Sequence, residues 1–144
     1  MTSPHNLSDP LRVLLIEDSV QTLNLMKRML HDLGITQVFT AKNGVEGLDL
    51  LGTFDGEDLI DVVLCDWNMP EMNGMELLRQ VRSCDPDLLF YMITGQADRA
   101  SVAEAKAFGV NGFIRKPFSA DELSKKLSVA SRVIAHRKLE AAVS

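Results

Sequence analysis

Residues 61–74 read Asp61-Val62-Val63-Leu64-Cys65-Asp66-Trp67-Asn68-Met69-Pro70-Glu71-Met72-Asn73-Gly74. The run opens with a β-branched pair, Val62 and Val63, inside an apolar segment bounded by charge. Such a segment is predicted to be a short strand, about 61–65, buried on both faces. It stops at Asp66, and Asn68, Pro70 and Asn73-Gly74 then turn the chain into an irregular loop. A carboxylate at the C-terminal mouth of a buried parallel strand is where open α/β sheets place their chemistry. Asp66 is therefore the candidate functional centre.

The flanking sequence repeats the unit. Arg12 to Ile16 is a first apolar strand that ends in Glu17-Asp18. From Ser19 to Leu33 the apolar residues Val20, Leu23, Met26, Leu30 and Leu33 recur at helical spacing, and Gly34 follows as the C′ residue. Gln37 to Thr40 is a short strand. Asn43, with Glu46 three on, starts a helix that turns Val45, Leu48 and Leu51 inward. Asn73 and Glu76 start the next, with Met75, Leu78 and Val81 inward. Leu88 to Ile93 is a fourth strand, ending at Thr94-Gly95. A helix over about 97–107 closes at Gly109. Gly112 to Ile114 is a fifth strand, ending at Arg115-Lys116-Pro117. Ser119 and Glu122 form a capping box for a last helix carrying Leu123, Leu127, Ala130 and Ile134, predicted to run to about residue 139. Its basic end, Arg132, His136, Arg137 and Lys138, is expected to project past the sheet. Five strand–helix units imply one parallel sheet with helices on both faces; the pattern does not give the strand order.

The 144 residues suit one domain. Residues 1–10 read as a loose polar arm, 11–140 as the domain and 141–144 as a tail. A net charge of −5 argues against a broad nucleic-acid face. Cys65 and Cys84 have no metal-finger spacing, and Cys65 reads as a buried small side chain. Without a signal peptide or a long apolar run, the expected location is the cytoplasm.

In a parallel sheet the C-terminal strand ends share one edge. Glu17, Asp18, Asp66, Thr94 and Lys116 should therefore converge. Crowded carboxylates either hold a proton or bind a cation. An all-oxygen set suits a hard ion, Mg²⁺ or Mn²⁺, and a backbone carbonyl in the loop after Asp66 could complete its shell. A hydrated Mg²⁺ is a partner for phosphoryl groups. Lys116 and Thr94 could then bind phosphoryl oxygens, leaving Asp66 as the nucleophile that forms an acyl phosphate. Taken singly, each residue reads as an ordinary cap or loop residue; their recurrence at successive strand ends carries the functional reading.

Leu64-Cys65-Asp66-Trp67-Asn68-Met69-Pro70, Asn73-Gly74 and Ile114-Arg115-Lys116-Pro117-Phe118 resemble the CheY-like receiver domain of two-component response regulators. The resemblance covers about residues 11–135. It implies the flavodoxin-like (βα)5 fold with strand order 2-1-3-4-5. It implies a stand-alone response regulator, a phosphoacceptor signalling protein rather than an enzyme. Asp66 matches the phosphorylated aspartate, and Glu17 and Asp18 the acidic pair that holds Mg²⁺ (Mn²⁺ may substitute). Asn68 matches the residue whose backbone carbonyl completes the metal shell. Thr94 and Lys116 match the hydroxyl and amine that sense the phosphoryl group, and Phe113 the switch aromatic. Lys116-Pro117 matches a peptide often cis in the family. Glu17 stands where aspartate is commoner, and its extra methylene allows it to reach a metal through water. Asn68 and Gln96 flank the path of an attacking water and would tune the lifetime of the phosphorylated state.

The implied partners are a histidine kinase or histidine phosphotransfer protein and a downstream protein target. No nucleic-acid contact or membrane insertion is expected. The expected state is a monomer, with a phosphorylation-dependent dimer as the alternative. The output would be a changed surface on helix 4, strand 5 and helix 5. Two rivals from other classes stand beside this reading. A haloacid-dehalogenase-type phosphatase would want an acid where Asn68 stands, and turnover of small phosphomonoesters would favour it. An interaction-only module with a dormant site would accept phosphoryl from no donor. A flavodoxin-like cofactor binder would need a phosphate loop where the acidic Glu17-Asp18 repels one.

Overall fold

Val62–Asp66 is a strand in which every residue is buried, and Asp66 is its last member rather than the first residue beyond it. In the computed structural model, residues 11–54, 59–95 and 98–143 are described. The arm of residues 1–10, the loop residues 55–58, Gln96, Ala97 and Ser144 lie outside them. The described elements alternate: β1 (Arg12–Ile16), α1 (Val20–Asp32), β2 (Gln37–Ala41), α2 (Gly44–Thr53), β3 (Val62–Asp66), α3 (Gly74–Cys84), β4 (Leu89–Thr94), α4 (Arg99–Ala107), β5 (Gly112–Arg115) and α5 (Ala120–Val143). The five strands form one sheet in the order β2-β1-β3-β4-β5, and every pairing is parallel. This is the order the resemblance implied.

The period-two alternation of side chains splits the core into two layers. Val13, Leu15, Leu64, Tyr91 and Ile93 pack with Met26 and Leu30 of α1 and with Leu123, Leu127, Ala130 and Ile134 of α5. Leu14, Ile16, Val63, Cys65, Phe90 and Met92 face Leu77, Leu78 and Val81 of α3 and Ala105 of α4. Helix starts follow the local chemistry. Ser19, Asn43, Asn73 and Asp98 cap α1 to α4 with side-chain oxygens, and Asn73 with Glu76 makes the full reciprocal box.

Several expectations need correction. Val20 and Val45 are 68% and 44% exposed. α2 instead turns Gly44 and Gly47 to the protein, and a Cβ on Gly47 would sit 2.6 Å from Ile16 Cδ1. Close helix approach is bought with glycine, which carries no hydropathy signal. At α5 only half of the capping box forms: Ser119 Oγ accepts from the Glu122 N–H, but Glu122 Oε1 accepts from the Arg115 N–H. α5 continues to Val143, so residues 141–143 are helix and not tail. Its 24 residues span ~36 Å at about 1.5 Å each. Its basic end does not simply project, because Arg137 Nη1 donates to the Asp87 carbonyl at 2.7 Å.

Gly74 sets the position of the loop after β3. Its N–H donates to the Trp67 carbonyl at 2.9 Å. A Cβ there would lie 2.7 Å from both the Asp66 carbonyl oxygen and Met92 Sδ, and 3.0 Å from Trp67 Cα. Two of these neighbours are backbone and cannot swing aside. Gly74→Ala is expected to lower stability by about 1–3 kcal/mol. Gly52→Ala, in helix α2 with nothing within 4 Å, should raise it by up to about 1 kcal/mol. Urea midpoints at unchanged m-value measure both; equal effects would show that Gly74 is not held by close approach.

Candidate functional site

Each expected strand end is latched to its neighbour by a backbone bond just past the ladder. Glu17 N–H donates to the Ala41 carbonyl, Trp67 N–H to Ile93, and Lys116 N–H to Thr94, at 2.8–3.0 Å. These bonds extend the register beyond the strands, so side chains distant in sequence meet at fixed heights. Carboxylate oxygens of Glu17, Asp18 and Asp66 all lie within 4.8 Å of one another. Glu17, Asp66 and Thr94 are buried, and Asp18 is exposed. Lys116 Nζ stands 3.0 Å from Glu17 Oε1 and 3.4 Å from Asp66 Oδ2. The longer glutamate arm thus gives the lysine its nearer partner. Asp66 Oδ1 accepts a long bond, 3.4 Å, from the Asn68 N–H. The Lys116-Pro117 peptide is cis, and Glu71, in the loop after Asp66, has φ 70°.

The electrostatics follow from crowding and burial. Glu17 is pushed up to about 7, first by burial and then by Asp66 beside it, with Lys116 pulling the other way. Burial pulls the Lys116 ammonium down, but Glu17 and Asp66 outweigh it and the net shift is upward. Burial, with Asp66 and Glu17 nearby, holds the Cys65 thiol far above its ordinary value, so it is an inert core group. Two polar atoms of the rim are buried without a hydrogen-bond partner: Glu17 Oε2 and Thr94 Oγ1. Such orphans are costly unless something completes them. A hard divalent cation would complete the carboxylate, and a ligand oxygen the hydroxyl. The oxygen donors of Glu17, Asp18 and Asp66 fit Mg²⁺ or Mn²⁺.

Asn68 is exposed at the mouth of the site. Gln96, expected to flank the same path, lies outside the described residues. Phe113 is only partly buried, and its ring is stacked on Trp67 with centroids 6.0 Å apart and planes at 18°. That pairing escaped sequence reasoning. Strand periodicity gives the face of Phe113 and, continued one residue past β3, that of Trp67, but it does not say that two rings on β3 and β5 reach each other across β4.

A family model described as the response regulator receiver domain matches residues 13–128. The chemotaxis protein CheY-3 of Vibrio cholerae is 37% identical over 123 residues, which cover 84% of this chain and 92% of the relative. The chemotaxis protein CheY homolog of Campylobacter jejuni is 40% identical over 119 residues, covering 81% and 89%. Among solved structures, Vibrio cholerae chemotaxis protein CheY4 superposes with a TM-score of 0.75 at 31% identity, covering 85% of this chain and 99% of its own.

A carboxyl that titrates near 7 in the fold, against an ordinary 4.5, keeps its proton after the unfolded chain has lost it. The stability this gives is fully present below about pH 4.5 and is lost as the pH rises toward 7. In chelator, the contribution of Glu17 to stability should fall by on the order of 2–3 kcal/mol between pH 4.5 and 7.5. Glu17→Gln should flatten that slope. Urea unfolding at both pH values reads it, and a slope unchanged in the variant would assign the effect elsewhere.

Proposed function

Because the chain belongs to the response regulator receiver domain family, matched over residues 13–128, we propose that it accepts a phosphoryl group on Asp66 from a histidine kinase or histidine phosphotransfer protein. It then signals by changing a protein-binding surface. The observation that carries this reading is the convergence of three carboxylates, one lysine and one unpartnered hydroxyl on a single rim.

Glu17, Asp18, Asp66 and the backbone carbonyl of Asn68 would hold Mg²⁺, for which Mn²⁺ can substitute. When bound, the cation neutralises charge on the carboxylates and the phosphoryl oxygens. The residues of the chain do the rest. An Asp66 oxygen attacks phosphorus, the P–N bond to the donor imidazole breaks with its electron pair on nitrogen, and an acyl phosphate forms. Lys116 is already charged and already within 3.4 Å of Asp66, so it needs only a small movement to pair with a phosphoryl oxygen. Thr94 Oγ1 has no hydrogen bond to give up, so turning toward the same group breaks nothing.

The rearrangement of Thr94 and Phe113 alters helix α4, strand β5 and helix α5, the surface offered to a downstream protein. Chemotaxis, the word in the names of the relatives above, is one setting for that output. Action as a monomer in the cytoplasm, with dimerisation on phosphorylation as the alternative, completes the proposal. Among the described residues no helix is long and apolar enough to cross a membrane.

Trp67 adjoins Asp66 and is the only tryptophan. Adding Mg²⁺ and then acetyl phosphate to the full chain should change its fluorescence in two steps and place on the protein a phosphate that hydroxylamine removes, as it does from an acyl phosphate. Asp66→Ala should remove the label while the chain stays folded. A wild-type chain that takes no label in Mg²⁺ overturns the proposal.

A further inference from the structure

We infer that Trp67 is a positioning residue for Phe113: the ring stack couples the residue that follows Asp66 at the end of β3 directly to β5, across the end of β4. The inference rests on the receiver reading above and adds to it a second route for the signal.

The register makes the geometry explicit. Asp66 is level with Ile93 of β4, so Trp67, one residue on, is level with Thr94. Phe113 is level with Met92. β3 and β5 flank β4 and, at about 4.8 Å per strand step, lie roughly 10 Å apart. Only large side chains can meet across that gap, and the two rings do, at 6.0 Å between centroids. Both pack on the core layer that holds Phe90, Met92 and Ala105 of α4. Thr94 is two residues beyond Met92, so it turns to that same face. The stack therefore runs diagonally over the last turn of β4, on the face where the unpartnered Thr94 hydroxyl is found.

Trp67 is also gripped at its backbone. Its N–H donates to Ile93 and its carbonyl accepts from Gly74, both at 2.9 Å. A shift of the Asp66 peptide is thus transmitted to the indole rather than absorbed in a slack loop. Offset aromatic pairs bias an equilibrium roughly two- to tenfold beyond simple burial. That overlaps the range in which coupled sites alter each other's occupancy. A merely structural ring would contribute burial but would not alter how β5 responds to Asp66.

The test uses the full chain with Trp67→Leu, Phe113→Leu, the double variant and the conservative Trp67→Phe. Without phosphodonor, a double-mutant cycle in urea should give a two- to tenfold coupling between positions 67 and 113 in the unfolding equilibrium. With Mg²⁺ and acetyl phosphate, Trp67→Leu should still take phosphate at a rate within about threefold of wild type. The change in amide hydrogen exchange across β5 that phosphate produces should shrink at least threefold, and Trp67→Phe should restore it. A full exchange response in Trp67→Leu overturns the inference, as does loss of labelling, which would place the residue in the phosphoryl site itself. If even the wild type takes no label, the receiver reading fails on its own. The cycle still judges the stack in that case, and no coupling there removes the inference separately.

Discussion

Three carboxylates crowded on one partly dry rim set the terms for everything else in the molecule. At a separation of 4.8 Å, the upper limit for these oxygens, two unit charges repel by about 3–4 kcal/mol at an effective dielectric near 20. Three such pairs cost on the order of 10 kcal/mol. Lys116, at 3.0 and 3.4 Å from two of the acids, returns about 5 kcal/mol for each on the same scale. Coulomb terms alone come close to cancelling, so the burial of Glu17 decides the outcome and pushes its carboxyl up to about 7. The buried rim is short of positive charge. The same deficit makes it a receptor for a divalent ion.

Such a cluster persists only where the backbone gives it no way to spread. All three acids follow or end strands whose register continues past the ladder through single latch bonds. On the other side, Gly74 draws the start of α3 against the Asp66 and Trp67 backbone at a distance that no other residue permits. The full capping box of Asn73 and Glu76 fixes the helix just behind it. Glu71, held at φ 70°, absorbs in one residue the turn that this close approach imposes on the loop. The strain lies beside the site because the site is where sheet and loop are pulled together.

Much of this could be read from residues alone, for a reason particular to parallel sheets. Once Val62–Cys65 and its counterparts are recognised as buried strands, topology sends their C-terminal ends to one edge. Glu17, Asp18, Asp66, Thr94 and Lys116 then share that edge, and the order β2-β1-β3-β4-β5, with β3 between β1 and β4, brings them within reach of one another. The order itself came from resemblance, since a crossover leaves no mark in an apolar run. What stayed hidden depends on packing distance. Val20 and Val45 have the period of inward residues, yet the helices meet their neighbours elsewhere, α2 through Gly44 and Gly47. Glu140-Ala141-Ala142-Val143 contains good helix formers and no breaker, so α5 continues through it past the edge of the sheet. The nearer bond of Lys116 to Glu17 depends on one methylene of reach, and the Trp67–Phe113 stack on two large rings meeting across an intervening strand.

Helix α4 shows how the rim and the surface can be linked without loosening the core. It buries one residue, Ala105, whereas α3 buries five. Among the described residues, the side-chain ties from Arg79 and Arg82 of α3 land at or beyond Glu104. Arg79 pairs with Glu104 and lies over the Phe108 ring at 5.0 Å. Arg82 donates twice to the Gly109 carbonyl and once to Asn111 Oδ1, which also accepts from the Phe90 N–H of β4. The C-terminal end of the helix is therefore anchored to the sheet through charged and backbone groups. Its first turn, nearest in sequence to Thr94, is capped by its own Asp98 and contributes no buried residue to the core. Local opening follows burial and contact density, so the first turn of α4 is the end that moves most readily. A helix pinned at one end would convert a small displacement near Thr94 into a larger one along an exposed face, while the anchored end would keep β4 and β5 in register.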